Sequence, residues 1–565
     1  MDIQRTVIWA GLAVVAYLLV MAWNEDYHQT PAPQTTQSEQ AEAPQLSGSE
    51  STAPASDEFS APDNGSGTTS KSLESKAPEA SRDGGLITVE TDVLDLQISR
   101  RGGNIVRAEL KQYDRSKESE QPLVLLRDDA QLTYMVESAL IGRDGPDAAS
   151  NGGSPLFDVD QDVYKLTVDQ DTLTVDLHLT TDSGVKITKR YTLKRDSYEI
   201  NVDYLLDNQS DQPWKGNLAG KIVRDNSADP TAQSSFRRSF LGPVLNTPED
   251  PYEKYPLDEL QDTPIKDQAE GGWIAFLQHY FLTAWVPPQN QVNHYQSTRR
   301  GDLYVVGFVS DATEVAPGQQ ATLGGKLYIG PKIIERLEKV APNLDHTVDF
   351  GWLFFIAYPL FVVLKFFHGL VSNWGVAIIL LTVSVKAVFF HLSATSYRSM
   401  ANMRRVAPEL SRLRELYGDD RQKMSQEMMN LYKREKINPL GGCLPILVQM
   451  PVFISLYWVL FESVQLRQAP FMLWVQDLSA MDPYFILPIL MGASMFLQMH
   501  LNPTPPDPMQ AKVMKMLPFI FTVFFLWFPA GLVLYWLTNN ILSIAQQWYI
   551  TRKIENEAAA RKAKG

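Results

Sequence analysis

The chain has 565 residues and a single cysteine, Cys443. Disulfides need paired thiols, so a disulfide scaffold is excluded. With no second cysteine and no clustered histidine, a metal centre at Cys443 is excluded too; the residue reads as a small packing group after Gly441 and Gly442. No Gly-rich phosphate loop occurs, so no nucleotide is expected to drive work. Positive charge is scarce in the first 350 residues, with 31 Lys+Arg against 53 Asp+Glu, a net of −22. A nucleic-acid partner needs a basic face, so DNA is not expected. Residues 351–565 reverse the balance, with 20 against 12, a net of +8. The overall −14 therefore averages two chemically different parts. The length also exceeds what a single core of about 250–300 residues accommodates.

Long apolar runs are confined to particular places. Val7–Trp23 is apolar over 17 residues, near the lower limit for a membrane span. It predicts a signal anchor, with Arg5 holding the amino terminus in the cytoplasm. Residues 24–85 are rich in Pro, Ser, Gln, Glu, Ala and Gly and poor in large apolar groups. Such a segment cannot offset the entropy of folding and reads as a flexible tether.

Residues 86–330 alternate apolar and polar groups in short runs. Examples are LITVETDVLDLQI (86–98), DTLTVDLHL (171–179), VKITKRYTL (185–193), YEINVDYLL (198–206) and LYVVGFV (303–309). Period two between turn signals predicts antiparallel strands with one buried face, in a large β-sandwich. His279 stands in no catalytic spacing and reads as structural. Residues 331–345 predict an amphipathic helix opened by Pro331, resting on a membrane surface or on the sandwich.

Five apolar stretches follow, near 350–368, 373–392, 440–461, 483–500 and 515–550. Phe528-Pro529-Ala530-Gly531 splits the last into 515–528 and 532–550. Segment 398–438 carries ten Lys/Arg and six acids, so the positive-inside rule assigns it to the cytoplasm. The basic tail 552–565 is assigned there too. An odd number of crossings must then join an outside acidic domain to residue 398. Stretch 350–368, with Pro359, Lys365 and His368, is taken as an interfacial or re-entrant helix that does not cross. The expected architecture is a polytopic α-helical membrane bundle of six spans, with both termini cytoplasmic, plus a large periplasmic antiparallel β-sandwich.

One residue stands out in the spans. Lys386 falls about 18 Å below Trp374 at about 1.5 Å per residue, within a core of about 30 Å. A cation there costs at least about 2.5–3.5 kcal/mol on insertion scales. Snorkelling toward the cytoplasm is one reading. The other is a wet cavity, because Thr382 and Ser393 share its helical face. Gln449 on another span, Ser494 and Gln498, and Thr538 to Asn540 offer further polar groups. No acid stands within the spans, which weighs against a proton relay. In 398–438, apolar residues from Met400 to Tyr417 and from Met424 to Tyr432 predict a helical hairpin, with Gly418-Asp419-Asp420 as stop and cap.

Four long motifs carry a resemblance. They are INPLGGCLPILVQMPVFISLYWVL (437–460), LRQAPFMLWVQDLSAMDPYFILPILMG (466–492), DPMQAKVMKMLPFIFTVFFLWFPAGLVLYW (507–536) and GDDRQKMSQEMMNLYKREK (418–436). The chain resembles the YidC family of membrane protein insertases, strongly over 331–551 and in layout before that. The resemblance implies a bacterial inner-membrane insertase and chaperone, with a five-helix core and a hydrophilic groove open to the cytoplasm. It implies no enzyme activity and no cofactor. Lys386 matches an intramembrane cation that is usually Arg, and it lacks the planar fork of donors. Thr382, Gln449, Ser393, Tyr535 and Trp536 are the further client-binding groove residues expected. A client-contacting Tyr of the family matches Trp536, and His391 replaces the family's Pro. Phe453, Phe521 and Phe524 are expected to form a hydrophobic slide. Arg404, Arg405, Arg412 and Arg414 are expected to dock the hairpin onto partners. Implied partners are nascent inner-membrane proteins, the Sec translocon, the ribosome, the signal-recognition-particle receptor and lipid. A transporter or channel, and an envelope enzyme acting through the sandwich, are the competing classes.

Overall fold

The computed structural model describes residues 85–148, 151, 153–231, 239–417, 420–435, 444–501 and 508–562. The expected anchor, the tether to residue 84 and Cys443 lie outside them. Two units are distinguished: one holds residues 56–400 and 440–565, and the other includes 401–439.

Residues 86–331 form two sheets, of eleven and nine strands among those described. Alternation explains the strands. In Glu199–Asn208, Ile200, Val202, Tyr204 and Leu206 are buried while the residues between them are half-buried. That strand pairs antiparallel with Val185–Lys194 and with Gln320–Pro331. In the other sheet, Trp214–Asp225 lies between Thr133–Ile141 and Leu303–Ser310. The inner faces meet in an aromatic-rich core that includes Tyr134, Phe276, Trp285 and Phe308. Lys189 is among the buried side chains that break the apolar pattern. Lys189 Nζ donates to the carbonyls of Gly102 (2.8 Å) and Ser138 (3.0 Å), between the rings of Tyr191 and Tyr204. It crosses from one sheet to the other. Two carbonyls and two aromatic faces replace the water this ammonium loses.

Pro331 ends a strand, paired with Phe281, and does not open the helix expected there. Helix α1 (Ile334–Val340) starts three residues later. Seven residues are too few for a stable isolated helix. Burial of Ile334, Leu337 and Val340 supplies what local propensity lacks. Arg336 ties α1 to the sheets by donating to Asp196 O (2.6 Å) and Asp196 Oδ1 (2.8 Å).

Helix α2 (Phe354–Val371) is long and apolar enough to cross a membrane by itself, and only three of its residues are buried. Helix α3 (Trp374–Val388) opens on Asn373, whose side chain accepts from Val376 N. The expected 373–392 span is not one straight rod. Phe389 leaves helical geometry, and α4 (Phe390–Arg405) turns away by 67°. The polar run His391, Ser393, Thr395, Ser396 begins at that bend; His391 and Thr395 are exposed while Ser393 and Ser396 are buried. Helices α5 (Ala407–Tyr417) and α6 (Arg421–Arg434) belong mainly to the second unit. Asp420 caps α6 by accepting from Lys423 N. Met403, Val406, Leu410, Leu413, Met428, Leu431 and Tyr432 form the seam of this hairpin.

The remaining helices are α7 (Leu444–Glu462), α8 (Ile486–Leu501), α9 (Pro508–Phe524) and α10 (Ala530–Lys562). Their contacts fix their directions. Ile378 faces Gly531 and Lys386 meets Ser543, so α3 and α10 run parallel. Tyr457 lies against Phe528 and Phe453 meets Trp536, so α7 runs antiparallel to α10. Asn540 meets Ser494 and Gln547 meets Leu501, so α8 again follows α10. Phe496 meets Phe519, and a Cβ at Gly492 would run into Thr522, so α9 opposes α8 at close approach. Direction therefore reverses at every step from α3 through α7, α8 and α9 to α10.

Candidate functional site

Three helices converge on Lys386. Its side chain is 8% exposed, although it ends a helix of apolar residues. The Nζ donates to Ser543 Oγ at 2.7 Å and to Gln449 Oε1 at 3.4 Å. Ser543 in turn donates to Asn539 O on its own helix (2.7 Å), so its lone pairs point at the ammonium. Among the described residues, no carboxylate pairs with Lys386. A buried charge satisfied only by neutral oxygens keeps an unmatched positive field. That field favours an anionic or strongly polar guest.

The other expected groove residues divide by depth. Thr382 is buried, but its hydroxyl donates to Ile378 O (2.7 Å) one turn back. Ser393 is buried beyond the bend, on α4. Tyr535 and Trp536 do not join the polar centre. Trp536 meets Phe453 edge-on at 4.5 Å, with Phe525 at 5.2 Å and Phe521 at 6.3 Å. Tyr535 stacks on Phe453 at 6.2 Å. These rings lie about 10 Å from Ser543 along α10, at about 1.5 Å per residue. An aromatic layer thus covers the polar centre on the side of the β-domain. Phe524 is half-exposed at the layer's edge, against Phe528.

Ser543, Asn540 and Gln547 complete the α10 face. Asn540 Nδ2 donates to Ser494 Oγ and Gln547 Nε2 to Leu501 O, each at 3.1 Å. Ser543 was not among the expected residues. Its one sequence signal is its spacing from Asn539, Asn540 and Gln547 on one helical face.

The β-domain is bolted to the far end of α7. Lys332 and Glu462 form a buried ion pair at 3.3 Å, 5% and 8% exposed. His279 Nε2 lies 3.0 Å from Phe461 O, with its ring stacked on Tyr280. Burial, reinforced by nearby Lys332, pushes the His279 pKa down to about 3, so the ring is neutral and donates. Arg467 donates to the carbonyls of Asp114 (2.8 Å) and Arg115 (3.2 Å) over the face of Phe281. His279 is thus structural, as its isolation in the sequence suggested. No cluster of His, Cys, Asp or Glu suited to a metal occurs among the described residues.

In the hairpin, Arg405 pairs with Glu435 (2.9 Å) and Arg434 with Glu409 (2.5 Å). Arg412 is exposed; the side chains of Arg404 and Arg414 lie outside the described set.

Residues 86–363 match the family described as YidC periplasmic domain, and residues 366–557 match the 60Kd inner membrane protein family. A membrane protein insertase YidC from Marinobacter nauticus is 65% identical over 575 residues, covering 100% of both chains. One from Hahella chejuensis is 56% identical over 572 residues, covering 100% of this chain and 99% of its own. A crystal structure titled as an active YidC insertase with its first transmembrane domain resolved covers 82% of this chain and 92% of its own, at 19% identity and TM-score 0.37. By the two full-length relatives and the two family matches, the chain belongs to the YidC family.

Proposed function

We propose that this chain inserts and helps fold proteins of the bacterial inner membrane, as a non-enzymatic insertase. The observation that carries the reading is Lys386, a buried cation whose Nζ donates to Ser543 and Gln449 and meets no carboxylate among the described residues. A client's polar or acidic outer segment meets that field while its hydrophobic helix leaves water for lipid. The ammonium and its neutral oxygens solvate the segment on the way, which lowers the barrier of crossing an apolar core. The aromatic layer of Phe453, Phe521, Tyr535 and Trp536 closes the far side against leakage and offers a greasy path to the client helix. Thr382, Ser393 and Phe524 flank that route. The driving free energy is the burial of the client's own apolar surface.

The membrane topology belongs to the same reading. Five helices of alternating direction, α3 and α7 to α10, are proposed to span the bilayer, with the anchor as a sixth. Helix α2 is proposed to lie along the outer surface although its length permits a crossing. Lys365 on α2 pairs with Glu335 of α1, and Asp349 just before α2 pairs with Lys254 of the sheets. That stretch is thus tied to the sheets just before α2 and to α1 from within it. Charge then assigns the hairpin and tail to the cytoplasm. There Arg404, Arg405, Arg412 and Arg414 are proposed to meet the ribosome, the signal-recognition-particle receptor or lipid headgroups. Cooperation with the Sec translocon is part of the proposal.

The test is depletion of the native insertase with complementation by this chain, read by insertion of a small two-span client. Lys386→Arg should restore insertion and Lys386→Ala should lower it. Wild-type insertion by Lys386→Ala would sink the role of the cation.

A further inference from the structure

Helices α8 and α10 leave an apolar cleft of about 440 Å³ between them. Leu497 and Leu501 line one side; Ile541, Ile544, Ala545 and Trp548 line the other. The cleft is held open by the two hydrogen bonds that join these helices. Asn540 to Ser494 and Gln547 to Leu501 stand seven residues apart on both helices, so the walls stay in register. Leu497, Ile541 and Trp548 are each more than half exposed. One turn beyond Trp548, the Arg552 guanidinium lies 5.2 Å from the Trp548 ring. Arg552 and Lys553 are both exposed.

Length and charge together select an occupant. From Ile541 to Trp548 the cleft runs about 10 Å along α10, and Arg552 lies about 6 Å further. One leaflet of a bilayer has a hydrocarbon depth of about 15 Å. An acyl chain in the cleft therefore brings its headgroup to the level of Arg552. Tryptophan at the boundary and arginine beyond it suit the interface, where the ring is apolar on one side and wet on the other. Arginine presents a fork of donors that matches phosphate oxygens.

We infer that this cleft binds one phospholipid of the cytoplasmic leaflet with an anionic headgroup, its acyl chain between α8 and α10 and its phosphate on Arg552. The inference rests on the proposed orientation, in which the far end of α10 is cytoplasmic. A zwitterionic lipid fills the same apolar space but gains less from two adjacent cations. A client or partner helix would find a cleft wide enough for a chain and walled by two helices already joined.

The test uses the full-length chain in phosphatidylethanolamine vesicles. These carry a trace of either phosphatidylglycerol or phosphatidylcholine with a photoactivatable diazirine in the acyl chain. Labelled residues are located by peptide mass spectrometry. Phosphatidylglycerol should label the Leu497–Leu501 and Ile541–Trp548 peptides several-fold more than phosphatidylcholine. Arg552→Gln, at an exposed position, should erase that preference and keep the label. Leu497→Trp should lower labelling by both probes. Equal labelling by the two probes in the unmodified chain means bulk lipid only and overturns the inference. So does label found only outside the cleft. No client is present, so failure here is distinct from failure of the insertase reading, which Lys386→Ala tests.

Discussion

Lys386 and Ser543, 157 residues apart in the sequence, meet at 2.7 Å, and the serine hydroxyl is oriented for it by donating to Asn539 O. Hydrogen bonds to charged groups contribute about 1.5–3 kcal/mol. Ser543→Val should therefore lower stability by about that much, because it leaves the buried ammonium short of an acceptor. Thermal unfolding in detergent measures it. The loss should shrink when Lys386 is already Met, and equal losses in both backgrounds would refute the coupling.

The Lys332–Glu462 pair gives a second prediction. Breaking a buried pair from one side strands a charge and costs about 3–5 kcal/mol. Lys332→Met should reach that range. The double variant Lys332→Met with Glu462→Leu should recover much of the loss, since a packed apolar pair removes the stranded charge. Denaturant unfolding of the unmodified chain and the two variants decides it. A double variant no more stable than Lys332→Met would count against the pair.

Acid should loosen the same junction. Burial holds the folded His279 pKa near 3, below its ordinary value of 6.5. Between those values the unfolded chain binds the additional proton. Stability is therefore complete above about pH 6.5 and falls as pH drops, by at most about 1.4 kcal/mol per unit until about pH 3. Lys332 and Arg467 oppose protonation of the ring and Asp229 favours it, so all three stay fixed in the comparison. His279→Gln keeps an amide donor and should flatten the acid limb of the stability–pH curve. An unchanged slope would show that other groups set it.

The aromatic layer should act as a unit. Phe453 and Trp536 meet edge-on, a geometry that contributes about 0.5–1.5 kcal/mol beyond burial. A double-mutant cycle with Phe453→Leu and Trp536→Leu should return a coupling in that range. Additive losses would mean that the rings merely fill space.

The strands were legible because period-two alternation is a local signal, as in DTLTVDLHL, which lies on strand Thr172–Thr180. Lys386 was legible because a lone cation in an apolar run is conspicuous. Ser543 was not, since its partner arrives from another helix. Lys189 shows a signal that went unread. It occupies the inward register of Val185, Ile187, Tyr191 and Leu193, where period two demands a buried group. The bend after Val388 left no mark, because no proline stands there. Tyr535 and Trp536 were expected as groove residues. Their packing against Phe453 is revealed only once the helices are brought together.

Helix α7 has one end keyed to the β-domain through Glu462 and Phe461 and carries Gln449 against Lys386 thirteen residues away. That is about 20 Å along one helix at about 1.5 Å per residue. Pro451 interrupts the helix's hydrogen-bond ladder two residues from Gln449. One helix therefore carries both the junction with the β-domain and the amide oxygen that faces Lys386.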